Sequence, residues 1–407
     1  MKAAIYRKHG PPEVVVQIAD VEKPVPKDNE VLLRVRAASV NPLDSHLMKG
    51  GPYIVRLLLG LGKPKIKRPG VDVAGHVEAV GKNVTQFKPG DAVFGMSKGA
   101  FAEYVCAPET AFVSKPDNVT FEQAASVPVA ALTALQGLRD KGHIQTRQKV
   151  LINGAAGGVG TFAVQIAKSF DAHVTAVCST RNVDMVRSIG ADHVIDYTQE
   201  DFTKSNPGRR YDMIFDNVGN HSLAACRRLL NPKGINLMVG ILGGRGIFSV
   251  LTRSVTALVW SRFISQKFIF FIARLNKPDL TLLSELMATG KVTPVIDRCY
   301  SLNQVQKRSA TCPNITPAEK SSSLCNSAQH LRHHSERSRP IFSSASLRES
   351  VGLRLKNLFA RHYGALAVLS TPDFTRIHII SAFVREVPPS DLHSIFRIAM
   401  NPPESRD

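Results

Sequence analysis

From about residue 149 to residue 240, short apolar runs alternate with longer stretches of helical spacing. Val150-Leu151-Ile152 has the length of a buried strand. A glycine cluster follows, and Thr161–Lys168 then carries apolar residues at helical spacing. Val174–Cys178, Tyr211–Phe215 and Ile235–Val239 repeat the strand pattern, separated by segments of helical length. This alternation predicts an α/β unit with a doubly wound parallel sheet. The preceding stretch, to about residue 120, reads as β-rich. Val14–Ile18 and Val31–Val40 carry β-branched runs, and Gly70–Gly81 alternates like a strand entering a turn. Lys88–Phe94 is a turn opening another strand, and prolines at 24, 26, 42, 64, 69 and 89 punctuate the whole. Many short strands with such turns predict a compact, barrel-like domain. Thr120 with Gln123 forms a capping box that opens an alanine-rich helical stretch through Leu138.

Composition narrows the class. The 407 residues suggest two or three domains, and 43% apolar with 21% charged residues is the balance of a globular protein. The net charge of +19 comes from scattered residues without basic blocks or aromatic interleaving, so nucleic-acid binding is not expected. Attraction of an anionic cofactor and a plainly solvated basic surface both remain open. Six cysteines lie far apart with no CxxC pair, which fits a reducing, cytoplasmic setting. Arg253, Arg262, Lys267 and Arg274 interrupt the most apolar stretch, Ile247–Leu275, so no membrane span is expected. Its aromatic residues Trp260, Phe263, Phe268, Phe270 and Phe271 suit an apolar lid, a dimer face or ordinary core.

The glycine turn carries the first candidate chemistry. Between a strand and a helix, Gly157, Gly158 and Gly160 allow a sharp turn and close approach of a pyrophosphate, with Ala156 and Val159 between them. Free N–H groups and the positive dipole at a helix start favour the phosphates. The crevice of such a sheet lies at the carboxyl ends of its strands, which brings in Ser179–Arg181, Asp216–Gly219 with Asn217, and Gly240–Gly243 with Leu242. An NAD site usually carries an acidic residue about twenty positions past the glycines. This chain instead reads Cys178-Ser179-Thr180-Arg181-Asn182, with no carboxylate until Asp184. Hydroxyls and an arginine suit a 2′-phosphate, so NADPH is the expected cofactor.

The phrases NPLDSHLMKG, PGVDVAGHVEAVG, KPGDAVF, GAAGGVG, GADHVIDY and GKVTPVID stand in this order. On them, the chain resembles the medium-chain dehydrogenase/reductases, in their zinc-independent quinone oxidoreductase and enoyl reductase branch. The resemblance implies a GroES-like β-rich catalytic domain over residues 1–122, with about 291–305 returning to it. It also implies an inserted Rossmann NADP-binding domain over 123–290. Zinc alcohol dehydrogenases of the superfamily place a cysteine ligand where this chain has Asn41, and a histidine ligand within the motif that here reads Gly70-Val71-Asp72. No set of zinc ligands remains. Hydride addition to a quinone or an α,β-unsaturated carbonyl compound needs no Lewis acid, because the acceptor spreads the developing charge. The resemblance makes Asn41 a contact for the nicotinamide or the substrate oxygen and Asp44 a residue that orients the site. It offers Tyr53, one position off the family spacing, as a donor to substrate. It adds Tyr197 near the adenosine phosphate, and a homodimer. A metal-independent NADP alcohol dehydrogenase and a nucleotide-binding protein without turnover are the alternatives. Beyond about 306 the likeness stops, and 306–407, rich in Ser, Arg, His and Pro, reads as an out-of-frame or fused, disordered tail, or as an additional domain.

Overall fold

The N-terminal stretch forms seven strands: β1 (Lys2–Ile5), β2 (Gln17–Asp20), β3 (Glu30–Ser39), β4 (Asp72–Val80), β5 (Ala92–Met96), β6 (Tyr104–Pro108) and β7 (Phe112–Ser114). They belong to a computed structural model that describes residues 1–49, 68–204, 208–239, 264–305 and 322–325. β3 organises this unit. Its Val31, Leu33 and Val35 alternate into a buried cluster with Val73, Val93, Val105 and Phe112, the period-two pattern of a strand with one face in a core. Residues 14–16 depart from expectation. Pro12–Val15 is a single helical turn, and pairing with β1 begins only at Gln17. Pro12 presets the backbone for a first helical turn, which overrides the β preference of the valines. Immediately after β3, helix α1 (Pro42–Lys49) begins with its proline in the first turn.

The capping box forms as the sequence predicts, with Gln123 N donating to Thr120 Oγ1 at 3.2 Å and Thr120 N to Gln123 Oε1 at 3.0 Å. The helical stretch behind it is divided into α2 (Phe121–Ala125) and α3 (Pro128–Gln136). Pro128 has no N–H to continue the ladder of α2, so it starts a helix instead.

Six strands then make the parallel sheet: β8 (Lys149–Asn153), β9 (His173–Cys178), β10 (His193–Asp196), β11 (Tyr211–Asp216), β12 (Leu230–Met238) and β13 (Lys267–Phe270). Their order is β10-β9-β8-β11-β12-β13, all parallel. Both faces are buried, which explains the near-continuous apolar runs. Val150, Ile152, Val174, Ala176 and Phe215 pack into one core cluster, and Leu151, Val177 and Ile214 into another. The helices α4 (Gly158–Ser169), α5 (Val183–Ser188) and α6 (Leu223–Leu229) connect these strands, and α7 (Lys277–Ala288) follows the last of them.

The chain then returns to the β-rich sheet through β14 (Arg298–Tyr300), with Leu302 and Val305 in that unit's core. A further strand, β15 (Ser322–Cys325), lies between β14 and β3, parallel to the former and antiparallel to the latter. One edge of β3 is thus shared: β6 pairs with Glu30–Arg34 and β15 with Ala37–Ser39. A chain ending at residue 305 would leave Ala37–Ser39 without that neighbour. Its thermal midpoint is expected to fall by about 4–8 °C, taking roughly 2 kcal/mol of ladder hydrogen bonds and about 2–4 °C per kcal/mol. An unchanged midpoint in thermal unfolding would show that β15 contributes nothing.

Candidate functional site

The order of the parallel sheet reverses between β8 and β11, and a doubly wound sheet opens its ligand crevice at such a point, outside the carboxyl ends of the strands. The predicted glycine turn leaves β8 there. Gly154 takes a positive φ of 79°, and its N–H and that of Ala155 donate to Val177 O at 3.2 and 3.0 Å. The turn is thereby tied to β9. A Cβ on Gly160 would overlap the backbone of Gly154 and Ala155, so this position is closed to any larger residue. Gly157 caps α4 without a side-chain hydrogen bond. The N–H groups of Gly158, Val159 and Gly160 therefore open the helix with no intrahelical acceptor, a ready site for a phosphate.

The neighbouring strand ends bring the other predicted residues alongside. Tyr197 N donates to Cys178 O at 2.9 Å, which sets Tyr197 beside Ser179 at the ends of β10 and β9. Ser179 Oγ accepts from Asn182 Nδ2 at 3.1 Å, so its own proton stays available. Thr180 differs from expectation as a donor. Its hydroxyl donates to Asp196 Oδ2 at 2.5 Å, and this bond holds the Asp196 carboxyl below its ordinary range. Arg181 is exposed on the turn that follows β9. Asn217 N donates to Asn153 O at 3.1 Å, joining the ends of β11 and β8, and both polar atoms of the Asn217 side chain are buried without a partner among the described residues. Asn153 Nδ2 bridges the crevice floor, donating to Asp216 Oδ1 at 2.8 Å and to Asn220 Oδ1 at 3.0 Å. Tyr53, Gly240 and Leu242 lie outside the described residues, as do Trp260 and Phe263. Phe268 and Phe270 belong to the edge strand β13.

A second group of polar residues is buried where β3 ends and β4 begins. Asn41, Asp44 and Asp72 are all buried, Asp72 completely. Asp44 Oδ2 accepts from Asn41 N at 2.8 Å, and Asp72 Oδ2 accepts from Asn41 Nδ2 at 3.0 Å. Both Asp72 oxygens also accept from Val129 N, at 3.2 Å each, in the first turn of α3. Burial pushes the Asp44 carboxyl up to about 7 against the pull of backbone N–H donors. Burial likewise lifts Asp72 well above the carboxylate range, and the charge of Asp44 adds to this.

Two family models match the chain: an alcohol dehydrogenase GroES-like domain over residues 27–117 and a zinc-binding dehydrogenase over 189–307. It is 34% identical over 335 residues to the mitochondrial NAD(P)H oxidoreductase RTN4IP1 of Bos taurus, covering 75% of this chain and 84% of that protein. It is 34% identical over 320 residues to the chloroplastic quinone-oxidoreductase QR1 of Triphysaria versicolor, covering 75% and 93%. The chain belongs to the medium-chain dehydrogenase/reductases. Within them it falls in the quinone oxidoreductase-like branch. The quinone oxidoreductase of Coxiella burnetii has the same fold, with a TM-score of 0.67 and 27% identity over 80% of this chain and 99% of that one.

Membership in this superfamily raises the question of zinc. The buried donor set of Asn41, Asp44 and Asp72 offers no thiolate or imidazole, and both oxygens of Asp72 already accept N–H hydrogen bonds. Among the described residues no group of three or more His, Cys, Asp or Glu is arranged to hold a metal. These residues do not fit a zinc centre. The crevice does fit a dinucleotide, through its open helix start and the unpartnered Asn217 amide. No helix among the described residues is long and apolar enough to cross a membrane.

Sequence reasoning passed over Asp72, Asn153 and Asp196 as site residues. An amide closing the apolar run Val150–Ile152 was the available signal for Asn153, whereas Asp72 and Asp196 carry no local one. Asp44 generates a pH prediction. Its native pKa is raised, so the stability it contributes is complete below the unfolded value of 3.8 and is lost as pH rises through about 7. Asp44→Asn is expected to flatten the decline of thermal midpoint between about pH 4 and pH 7, and to be the more stable protein above it. Parallel profiles for the two proteins would contradict this.

Proposed function

We propose that this chain is a zinc-independent, NADPH-dependent reductase of quinones or α,β-unsaturated carbonyl compounds. The observation that carries the reading is the pairing of a dinucleotide crevice with a buried Asn41–Asp44–Asp72 group whose chemistry does not suit zinc. Similarity to quinone oxidoreductases and to a trans-enoyl reductase supports the acceptor class.

When bound, the nicotinamide supplies the hydride. The chain's own residues must hold, orient and shield. In this reading the N–H groups of Gly158, Val159 and Gly160 bind the pyrophosphate, with Ala156 and Gly157 shaping the turn. Ser179, Arg181 and Tyr197 receive the 2′-phosphate end, while Thr180 stays engaged with Asp196. Asn217 supplies its buried amide at the nicotinamide end, where Gly240 and Leu242 follow β12 in sequence. Asn41 contacts the nicotinamide or the substrate oxygen, Asp44 fixes the Asn41 backbone, and Tyr53 is the proposed donor to substrate. The spaced cysteines suit a reducing compartment such as the cytoplasm.

Arg181→Ala is expected to weaken NADPH binding roughly ten-fold or more, the value of a hydrogen bond to a charged group, and to leave NADH binding nearly unchanged. Dissociation constants from cofactor fluorescence would decide, and equal losses would remove the 2′-phosphate assignment. The reaction itself is tested with a panel of quinones and enones in the presence of EDTA. NADPH oxidation that resists the chelator is expected. Alcohol oxidation alone would select the metal-independent alcohol dehydrogenase, tight binding without turnover would select a non-catalytic binder, and rescue by zinc would end the metal-free mechanism.

A further inference from the structure

An asparagine side chain has two different edges: an NH₂ group that only donates and a carbonyl that only accepts. Which edge meets a ligand depends on what holds the other. Asn41 is held at two points, its backbone N–H by Asp44 Oδ2 at 2.8 Å and its Nδ2 by Asp72 Oδ2 at 3.0 Å. Asp72 Oδ2 accepts here, so it engages the NH₂ edge and turns the carbonyl edge away from itself. It also polarises that amide, making the carbonyl oxygen a stronger acceptor. Asp72 is itself pinned, since Val129 N at the start of α3 donates to both of its oxygens at 3.2 Å. The helix start therefore orients Asp72, and Asp72 orients Asn41.

We propose that Asp72 is a positioning residue that fixes the flip of the Asn41 amide, so that Asn41 Oδ1 accepts a hydrogen bond from the nicotinamide carboxamide or ribose of the bound dinucleotide. This rests on the reading of Asn41 as a cofactor contact, and it narrows that reading: Asn41 serves the dinucleotide and not the developing oxyanion. Asp72 touches neither and acts through Asn41.

The test is a double-mutant cycle on the full chain, read as the dissociation constant for NADPH. Asn41→Ala and Asp72→Asn are each expected to weaken binding roughly 5- to 30-fold, and the double variant no more than Asn41→Ala alone. Losses that multiply in the double variant would overturn the proposal, since a merely structural Asp72 acts whether or not Asn41 is present. A second measurement needs no change at Asp72. With selective ¹⁵N-asparagine labelling, and Asn41→Ala to assign the signal, one side-chain N–H proton of Asn41 should be protected from solvent exchange. Two freely exchanging protons would overturn the proposal. Failure of every quinone and enone in the turnover assay would sink the reductase reading and leave the cycle, which reads cofactor binding, to decide on Asp72. A wild-type chain that binds no NADPH would overturn both.

Discussion

The carboxyl group of Asp72 lies out of reach of water and has no salt-bridge partner among the described residues. Burying such a polar group without hydrogen bonds costs about 1–3 kcal/mol, and a fold keeps it only where donors converge on it. Here they come from two directions. One is the Asn41 amide at the end of β3, and the other is the first turn of α3, whose dipole adds to the attraction. The β-rich unit and the helix α3 beside the parallel sheet must therefore keep their mutual placement, or the buried carboxyl loses its donors. The site's geometry inherits that requirement.

Packing and hydrogen bonds reinforce the same junction. One apolar cluster runs without a break from Ala37, Ala74 and Phe94 of the β-rich unit into Ala131, Leu135 and Ile166 of the helices. On the far side, Gln165 exchanges two hydrogen bonds with Thr293, at 2.7 and 3.0 Å, where the chain returns from the parallel sheet. Asn118 Nδ2 donates to Met287 O at the end of α7. A crevice bounded by elements fixed at this many points holds its polar groups in place before a ligand arrives, which is how a site avoids losing affinity to reorganisation.

Periodicity made much of this legible. The strand at Val150–Ile152, the glycine turn, the helix after it and the strand ends carrying Ser179 and Asn217 follow from short-range patterns that one stretch of sequence contains, whereas Tyr197 comes from the family resemblance alone. Asp196 does not. Its contact with Thr180 spans sixteen residues and depends on the register that sets Asp196 beside Cys178, which no local pattern encodes. Asp72 was read only as a position lacking a histidine, because the donors that give it a role lie 31 and 57 residues away. The split at Pro128 and the turn at Pro12 are carried by prolines, whose missing N–H overrides the surrounding apolar periodicity. Tyr53, Gly240 and Leu242 stay as the sequence left them.

The position of β15 bears on how the molecule is made. Ala37–Ser39, the last residues of β3 and two positions short of Asn41, pair with Ser323–Cys325. Nearly the whole core must leave the ribosome before that edge can close. The parallel sheet is complete in sequence by Phe270, so it can assemble while the first sheet still has an open rim. Contacts of such long range form slowly, because the loop must close before they contribute. During synthesis, then, the strand that leads into the candidate site is among the last to be secured.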